Sequence, residues 1–539
     1  MVTSSAKSVR NKIVSIKYVF FEAFGVAFIF VVTFLHSFVQ EDIWFWDEAF
    51  YLARGIDPQN FGFPTWADSP SHSLLYSFIH LFTSDAITTY LIGRGFQAAA
   101  LVASVWVAAR LVLKPVYALS AAALMSTIPI IYSWPGVSNI ASGLVIVAVV
   151  VLLRKRNAYT LGIATLLLWL AATSRPELTY AAALASLFCL SELFFNWRRL
   201  RVSKSRFVTF FTVFSALAFP LLLSLRFGNL LQRFDREWTA FSQHYGLRNS
   251  TSGQDVWLTG NDAVQRDFPG ASSITQAALE NPAAFTSHVM ENVLLAPKSF
   301  VGNFLGFNAE NLIEITVPKI GLILFLAVAF VFIAANWKSS LSVIRTWIHH
   351  MVMPAQGLST ILSGVVLLIS SVAIFVIYPR AHYQFVAAGL LSIAILLLLQ
   401  TIQAGKRLSH LPLILIGTVF IFMAFQTLIS TPGRLANPPI IEASLRQINH
   451  DFDSITIVAR DEPITIFLPE AQQAVLPTSA TSFAEALEMS NANVIYRSGI
   501  LDESEWGSLP AYSDFFDDPE NFGFTAVTSK SPFLVKQKS

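Results

Sequence analysis

Apolar residues in this chain fall into long runs separated by short polar stretches, and that segmentation predicts the architecture. A helix that crosses a bilayer needs roughly 20 apolar residues. Eleven runs approach that length: Tyr18–Val39, Thr88–Leu113, Val116–Tyr132, Ser138–Leu153, Tyr159–Ala172, Leu178–Phe195, Phe207–Leu225, Pro318–Ala335, Leu358–Tyr378, Phe385–Gln403 and Leu411–Ile429. The third to fifth are short, which suits tilted or partly re-entrant helices. Two stretches outside these runs, Gln232–Tyr245 and Ser273–Leu295, read as amphipathic helices lying on the membrane. Beyond Ile429 the pattern changes. Ser454–Ala459, Ile464–Leu468 and Asn493–Tyr496 are alternating or β-branched, with a helical Ser482–Ser490 between them, which predicts a small α/β domain. The expected fold is mostly α: a polytopic transmembrane helix bundle of about 11 spans with extracytoplasmic interfacial helices and a small C-terminal α/β domain. Its expected divisions are an N-terminus at 1–17, a membrane domain at 18–429 with large outer loops at 40–87 and 226–317, and a C-terminal domain at 430–539.

Composition agrees with this pattern. Of 539 residues, 54% are hydrophobic and 13% charged, and the mean hydropathy is +0.56, values that leave too little polar surface for a soluble protein. The single cysteine, Cys189, excludes an internal disulfide framework and a cysteine-based metal site. The first apolar run is too long for a secretory signal and lacks a small-residue cleavage site, so it reads as a retained span. The charge is divided: from Ser430 onward there are 7 Lys/Arg against 15 Asp/Glu, net −8, while the remainder has 29 against 19, net +10. Basic clusters set orientation. Lys7, Arg10, Lys12 and Lys17 precede the first run; Arg110 with Lys114, Arg154-Lys155-Arg156, Arg198 to Arg206, Lys338 with Arg345, and Lys406-Arg407 follow every second run thereafter. One side therefore collects them all. That places the N-terminus in the cytoplasm and the two large loops and the tail outside, in a multi-pass plasma membrane protein.

The charges left on the outer side gather at span ends. Asp47 and Glu48 follow the first span within Trp44-Phe45-Trp46-Asp47-Glu48-Ala49-Phe50-Tyr51. Arg94 sits near the outer end of the second, Arg175 and Glu177 at the corner between the fifth and sixth, and Arg380, His382 and Tyr383 at the corner between the ninth and tenth. Carboxylates at a membrane edge are costly unless a wet cavity, a cation or a reaction needs them. Both signs of charge at one depth suit sugar transfer from a lipid phosphate. A carboxylate takes the proton from an attacking hydroxyl, and arginines stabilise the departing phosphate. No glycine-rich phosphate loop is present, so no nucleotide need enter.

With these residues the chain resembles the GT-C superfamily of membrane glycosyltransferases, in particular the bacterial family 39-like branch related to protein O-mannosyltransferases and the aminoarabinose transferase of lipid A. The resemblance rests on Trp46-Asp47-Glu48-Ala49-Phe50-Tyr51 in the first outer loop and on the looser Ser69-Pro70-Ser71-His72-Ser73-Leu74-Leu75-Tyr76. Arg94 in the second span and Pro379-Arg380-Ala381-His382-Tyr383 complete it. Ser71-His72 stand where the family has consecutive prolines, and Ala381-His382 interrupt its Arg-Tyr pair. The resemblance implies a GT-C-like bundle, a polyprenyl-phosphate-linked sugar as donor, an inverting displacement, Asp47 as general base and Arg380 for the lipid phosphate. It leaves the acceptor open among lipid, glycan and protein, allows a divalent cation at the acid pair with no cofactor certain, and implies membrane lipids but no nucleic acid as partners. The eukaryotic relatives' large lumenal insertion is absent, which favours a bacterial enzyme.

Each candidate also has a plainer reading. Asp47 is either the base or the cap of a helix beginning at Glu48. Glu48 lies about 100° around such a helix, so it serves to orient a neighbour or bind acceptor rather than share an atom with Asp47. Arg175 and Glu177 make a local ion pair or part of the site, Arg94 reaches headgroups or substrate, and Arg380 with His382 and Tyr383 anchors the interface or binds phosphate. His72, His244 and Tyr51 are candidate contacts, the histidines otherwise plain loop residues. His349-His350 falls on the cytoplasmic side, Asp451-x-Asp453 starts a strand, and Asn249-Ser250-Thr251 matters only in a eukaryotic host. Competing functions are a transporter or flippase, which expects charges deep in the spans and a two-fold repeat, and an inactive scaffold docking through its acidic tail. Glu22 is the main charge inside a span, and no repeat is visible.

Overall fold

The computed structural model describes residues 2–40, 42–45, 47–132, 136–154, 158–202, 206–228, 234–250, 261–305, 317–336, 338, 341–342, 345, 354–402, 411–460, 462–502 and 504–537. Trp46, the His349-His350 pair, Thr251, Lys406-Arg407 and parts of the Arg154-Lys155-Arg156 and Arg198 to Arg206 clusters lie outside the described residues.

All eleven apolar runs are helical. Among the described residues, six helices are long and apolar enough to cross a membrane, and five shorter apolar ones, among them Pro115–Thr127 and Ala158–Ala172, account for the remaining runs. Helix Ala86–Val112 packs against Val137–Arg154, the first helix Val2–Gln40 and Pro115–Thr127. Small side chains make this close approach possible: Ala98, Ala108 and Ala109 meet Ala118, Ala121, Ala141 and Ala148 in one buried core. The seventh run is continuous as helix but contains a π turn at Phe214–Ala218, just before Pro220. Proline has no N–H to give, so the ladder there is already short of a donor.

Contacts sort the connections into two ends of the bundle. At one, Glu22 pairs with Arg110, and the Lys114 N–H donates to Gln400 Oε1 at 2.7 Å. At the other, Ser71 N–H donates to the Thr173 carbonyl at 3.2 Å, Ser299 Oγ to the Pro379 carbonyl at 2.7 Å, and the Ile441 N–H to Asp42 Oδ2 at 2.9 Å. The first loop, the long loop, both charged corners and the tail therefore meet at one end.

The long loop holds helices Phe234–Asn249, Asn261–Asp267, Ile274–Glu280 and Pro282–Leu305. The expected Ser273–Leu295 helix is divided at Asn281, where Pro282 starts a new one. These helices share a small core of Phe241, Tyr245, Val264 and Phe268. Asn292 Nδ2 donates to the Phe375 carbonyl at 2.9 Å and His288 Nε2 to that of Ile377 at 3.1 Å, which ties the cluster to helix Pro354–Val376.

The tail forms a five-stranded mixed sheet in the order β2-β1-β3-β5-β4, with β1 Thr456–Val458, β2 Gln472–Gln473, β3 Val494–Tyr496, β4 Phe524–Ala526 and β5 Phe533–Lys536. Two expectations are corrected. Ile464–Leu468 is not a strand but lies largely in the 3-10 segment Glu462–Phe467, because Ile464, Phe467 and Leu468 are buried with helical spacing. Asp451 ends helix Ile440–Asp451 rather than starting a strand, since Ile441, Leu445 and Ile448 recur on one helical face. Side chains alternate across the sheet. Ile457, Val494 and Phe533 face a core shared with Ile43, Phe45, Ala49 and Leu52 of the first loop, while Val458, Ile495 and Leu534 face Phe483 and Phe515.

Candidate active site

Helix Asp47–Ile56 begins at Asp47, so both carboxylates occupy its first turn, where the helix dipole favours negative charge. Their directions, about 100° apart around the helix, separate them. Glu48 is fully buried: its Oε2 accepts from the Tyr76 hydroxyl at 2.8 Å and its Oε1 lies 3.5 Å from Arg94 Nη1. Arg94 is 3% exposed, which rules out a side chain extended to headgroups. Gln97, one turn along from Arg94, donates from Nε2 to the Tyr76 hydroxyl at 3.3 Å. Two glycines permit this packing. A Cβ at Gly93 would meet the Tyr76 ring at 2.2 Å, and one at Gly136 would meet Arg94 Nη1 and Gln97 Oε1 at 2.1 Å.

Tyr76 and His72 belong to helix Pro70–His80, which starts with proline at its first position, where a missing N–H costs nothing. Ser71 fixes this start on the corner between the fifth and sixth runs, with its Oγ 2.6 Å from Ser174 Oγ. His72 and Tyr76 are one turn apart and both point inward. The His72 ring is wholly buried 5.6 Å from the Tyr51 ring, and neither ring nitrogen has a hydrogen-bond partner. Burial, then the charges of Arg94 and Arg175, lower its pKa from 6.5 to about 3. It is neutral at physiological pH. Burial, then the Glu48 carboxylate, drives the Tyr76 hydroxyl well above its ordinary value, so it remains a donor.

The two charged corners meet directly. Arg175 pairs with Glu177 and donates to Ser138 Oγ, and its guanidinium lies 4.8 Å above the Tyr383 ring. The local ion pair and the wider assembly are thus both present. Tyr383 lies 4.2 Å from the His382 ring, which is buried. Arg380 is held by a turn in which its N–H donates to the Tyr378 carbonyl at 2.8 Å. Burial lowers the Arg380 pKa, while Tyr383, Asp47 and Tyr378 oppose that shift. Asp47 therefore acts on Arg380 across segments more than three hundred residues apart in the chain. Both side chains are partly exposed.

Around the candidate His244 lie several neighbours that carried no role in the sequence. The His244 ring stacks on Tyr378 at 5.0 Å, and the Arg248 guanidinium lies 5.8 Å from the same ring. Arg248 also pairs with Glu291 at 2.9 Å and donates to Asn292 Oδ1 at 3.0 Å. Burial, then Arg380, His288 and Arg248, lower the His244 pKa to about 3. Tyr76, Gln97, Ser138, Tyr378 and Arg248 join the site only through tertiary contacts. The sequence signals among them belong to Tyr76: its place in the Ser69–Tyr76 stretch and its spacing from His72. Among the described residues no three His, Cys, Asp or Glu side chains gather as a metal-binding group, and Glu48 is engaged by Tyr76 and Arg94.

No protein-family model matches the chain, and no curated protein matches it in sequence. Among solved structures, it is similar to the apo oligosaccharyltransferase of Archaeoglobus fulgidus at 12% identity and a TM-score of 0.37, over 90% of this chain and 71% of that one. The archaeal oligosaccharyltransferase AglB from Archaeoglobus fulgidus, in complex with an inhibitory peptide and a dolichol-phosphate, gives 12% identity and 0.38 over 88% and 69%. ArnT from Cupriavidus metallidurans bound to undecaprenyl phosphate gives 10% and 0.35 over 95% and 97%. AglB and ArnT are GT-C glycosyltransferases. At TM-scores this low the likeness adds no weight to what this chain does, and the site has to carry the reading.

Proposed function

We propose that this chain is an integral-membrane glycosyltransferase that moves a sugar from a polyprenyl-phosphate donor to an acceptor hydroxyl outside the cytoplasm. The observation that carries the reading is the division of labour at the acid pair: Glu48 is buried against Tyr76 and Arg94, while Asp47 is partly exposed within electrostatic reach of Arg380. Asp47 takes the proton of the acceptor hydroxyl as its oxygen attacks the anomeric carbon. The bond from that carbon to the phosphate oxygen breaks, its electron pair leaves with the phosphate, and the configuration inverts. Arg380 balances the charge that collects on the departing phosphate. Arg175, seated over Tyr383, supplies a second cation at the neighbouring corner. The host membrane is a bacterial plasma membrane, with the N-terminus cytoplasmic and the site outside, and the acceptor is a lipid, glycan or protein.

The test is Asp47→Asn in purified protein supplied with a polyprenyl-phosphate-linked sugar and an acceptor. Loss of a general base lowers turnover by about 10²–10⁴-fold, with the unfolding temperature unchanged. Undiminished transfer by this variant removes the assigned mechanism.

A further inference from the structure

We propose that the C-terminal domain is a positioning clamp for the acid pair, acting through Phe45 and Asp42. The four described residues just ahead of the acid-pair helix are each held. Asp42 accepts from the N–H groups of Ile441 and Glu442, at 2.9 and 3.0 Å, in the first turn of helix Ile440–Asp451. Those are donors that a helix start cannot satisfy within itself. Arg434, at the end of the last apolar helix, pairs with Glu442 at 2.5 Å, both side chains buried, so the same turn is fixed to the membrane body. Ile43 is buried in the shared core, and the Trp44 N–H donates to the Tyr90 hydroxyl at 3.2 Å.

Phe45 goes furthest into the domain. Its ring is 5% exposed and lies 5.6 Å from Phe467, 5.0 Å from Tyr496 and 6.2 Å from Phe533, each in an edge-on arrangement. Tyr496 and Phe533 stand on neighbouring central strands, so the sheet itself forms the socket. Asp47 follows two residues later. Ala49 and Leu52 of the acid-pair helix, both fully buried, complete the same core. The body-facing side of the sheet is therefore closed by the segment that carries the acids. Each partner lacks part of its core without the other. An acidic tail that reads from sequence as a docking surface is, on this face, part of the support of the site.

The mechanical claim stands by itself, and its catalytic consequence rests on the role proposed for Asp47. Hydrogen exchange on the full-length protein in lipid nanodiscs tests the first. Phe45→Ala is expected to speed exchange across Asp47–Ile56 by about tenfold or more, leaving Ala86–Val112 unchanged, because local opening is set by local packing. Phe45→Met, which refills the socket, returns exchange to within about twofold of wild type. Asp42→Asn keeps the side chain's shape, removes one of its two acceptor oxygens, and gives the same pattern at smaller amplitude, which covers failure of Phe45→Ala to fold. In transfer assays Phe45→Ala lowers kcat by about 100-fold at nearly constant donor KM, the cost of a misplaced reacting group, and Phe45→Met restores it. Unaltered exchange in Asp47–Ile56 overturns the clamp, as does acceleration spread evenly over the membrane helices. If wild-type protein transfers no sugar while the exchange pattern holds, the glycosyltransferase reading fails and the clamp survives.

Discussion

On one flank of the acid pair, formed by Glu48, Tyr76, Arg94, Gln97 and His72, every side chain is buried. On the other, Asp47, Arg380 and Arg175 are partly exposed and come from segments that touch only at the bundle's end. The difference separates two uses of charge. A buried ion pair is weak evidence for stability, yet breaking it by removing one partner is costly, because the other charge stays behind in a dry site. A half-exposed carboxylate facing a cation can exchange that partner for a substrate. Adjacent carboxylates in one helical turn thus have surroundings that suit them to different uses.

The largest expected break of this comparison is Glu48→Gln. It removes the carboxylate charge beside the buried Arg94 and should lower stability by about 3 kcal/mol or more, read by thermal or denaturant unfolding. Asp47→Asn should stay within about 0.5 kcal/mol of wild type; equal losses would erase the distinction between the flanks. Next comes Arg380→Gln, expected to cost about 100-fold in transfer with little change in unfolding temperature, as for loss of one preorganised charge at a developing anion. Arg380→Lys should recover part of that, since a point charge remains while the planar fork is lost. A stability loss in place of an activity loss would move Arg380 to the structural flank.

The smallest effect is in pH dependence. His72 and His244 have pKa values lowered from 6.5 to about 3, so the folded chain keeps them neutral while the unfolded chain protonates them below 6.5. The unfolded state then binds more protons, and their contribution is intact above pH 6.5 and lost as pH falls toward 3. Replacing His72 by Gln should flatten the fall in unfolding temperature between about pH 7 and pH 4.5. An unchanged slope would show that His72 is accessible to protons in the folded state.

Much of the scaffold was legible in the sequence because apolar length is a local property. The run Thr88–Leu113 names a helix with little help from its neighbours. Helix Ile440–Asp451 went unread although Ile441, Leu445 and Ile448 carry a helical period, since its partners are Phe467 and the first loop. Ile464–Leu468 misled because a short β-branched stretch fits either period, and burial against that same loop decided for the helical one. At the site, Asp47, Glu48, Arg94, Arg175 and Arg380 stood out as charges beside apolar runs. Gly93 and Gly136 did not, because their necessity appears only once Tyr76 and Arg94 lie against them. The link from Phe45 to the tail joins residues more than four hundred positions apart, with no composition signal at either end.

The interior helix Pro115–Thr127 has 13 residues. At about 1.5 Å per residue it rises roughly 20 Å, against the ~30 Å of a hydrocarbon layer. About seven further residues would be needed to carry it through; a 3-10 turn, Pro129–Tyr132, follows instead, and Gly136 lies against Arg94. On the function proposed above, a lipid headgroup would approach a bundle in which one interior helix stops short of a full crossing, which makes membrane thickness a variable to vary against turnover.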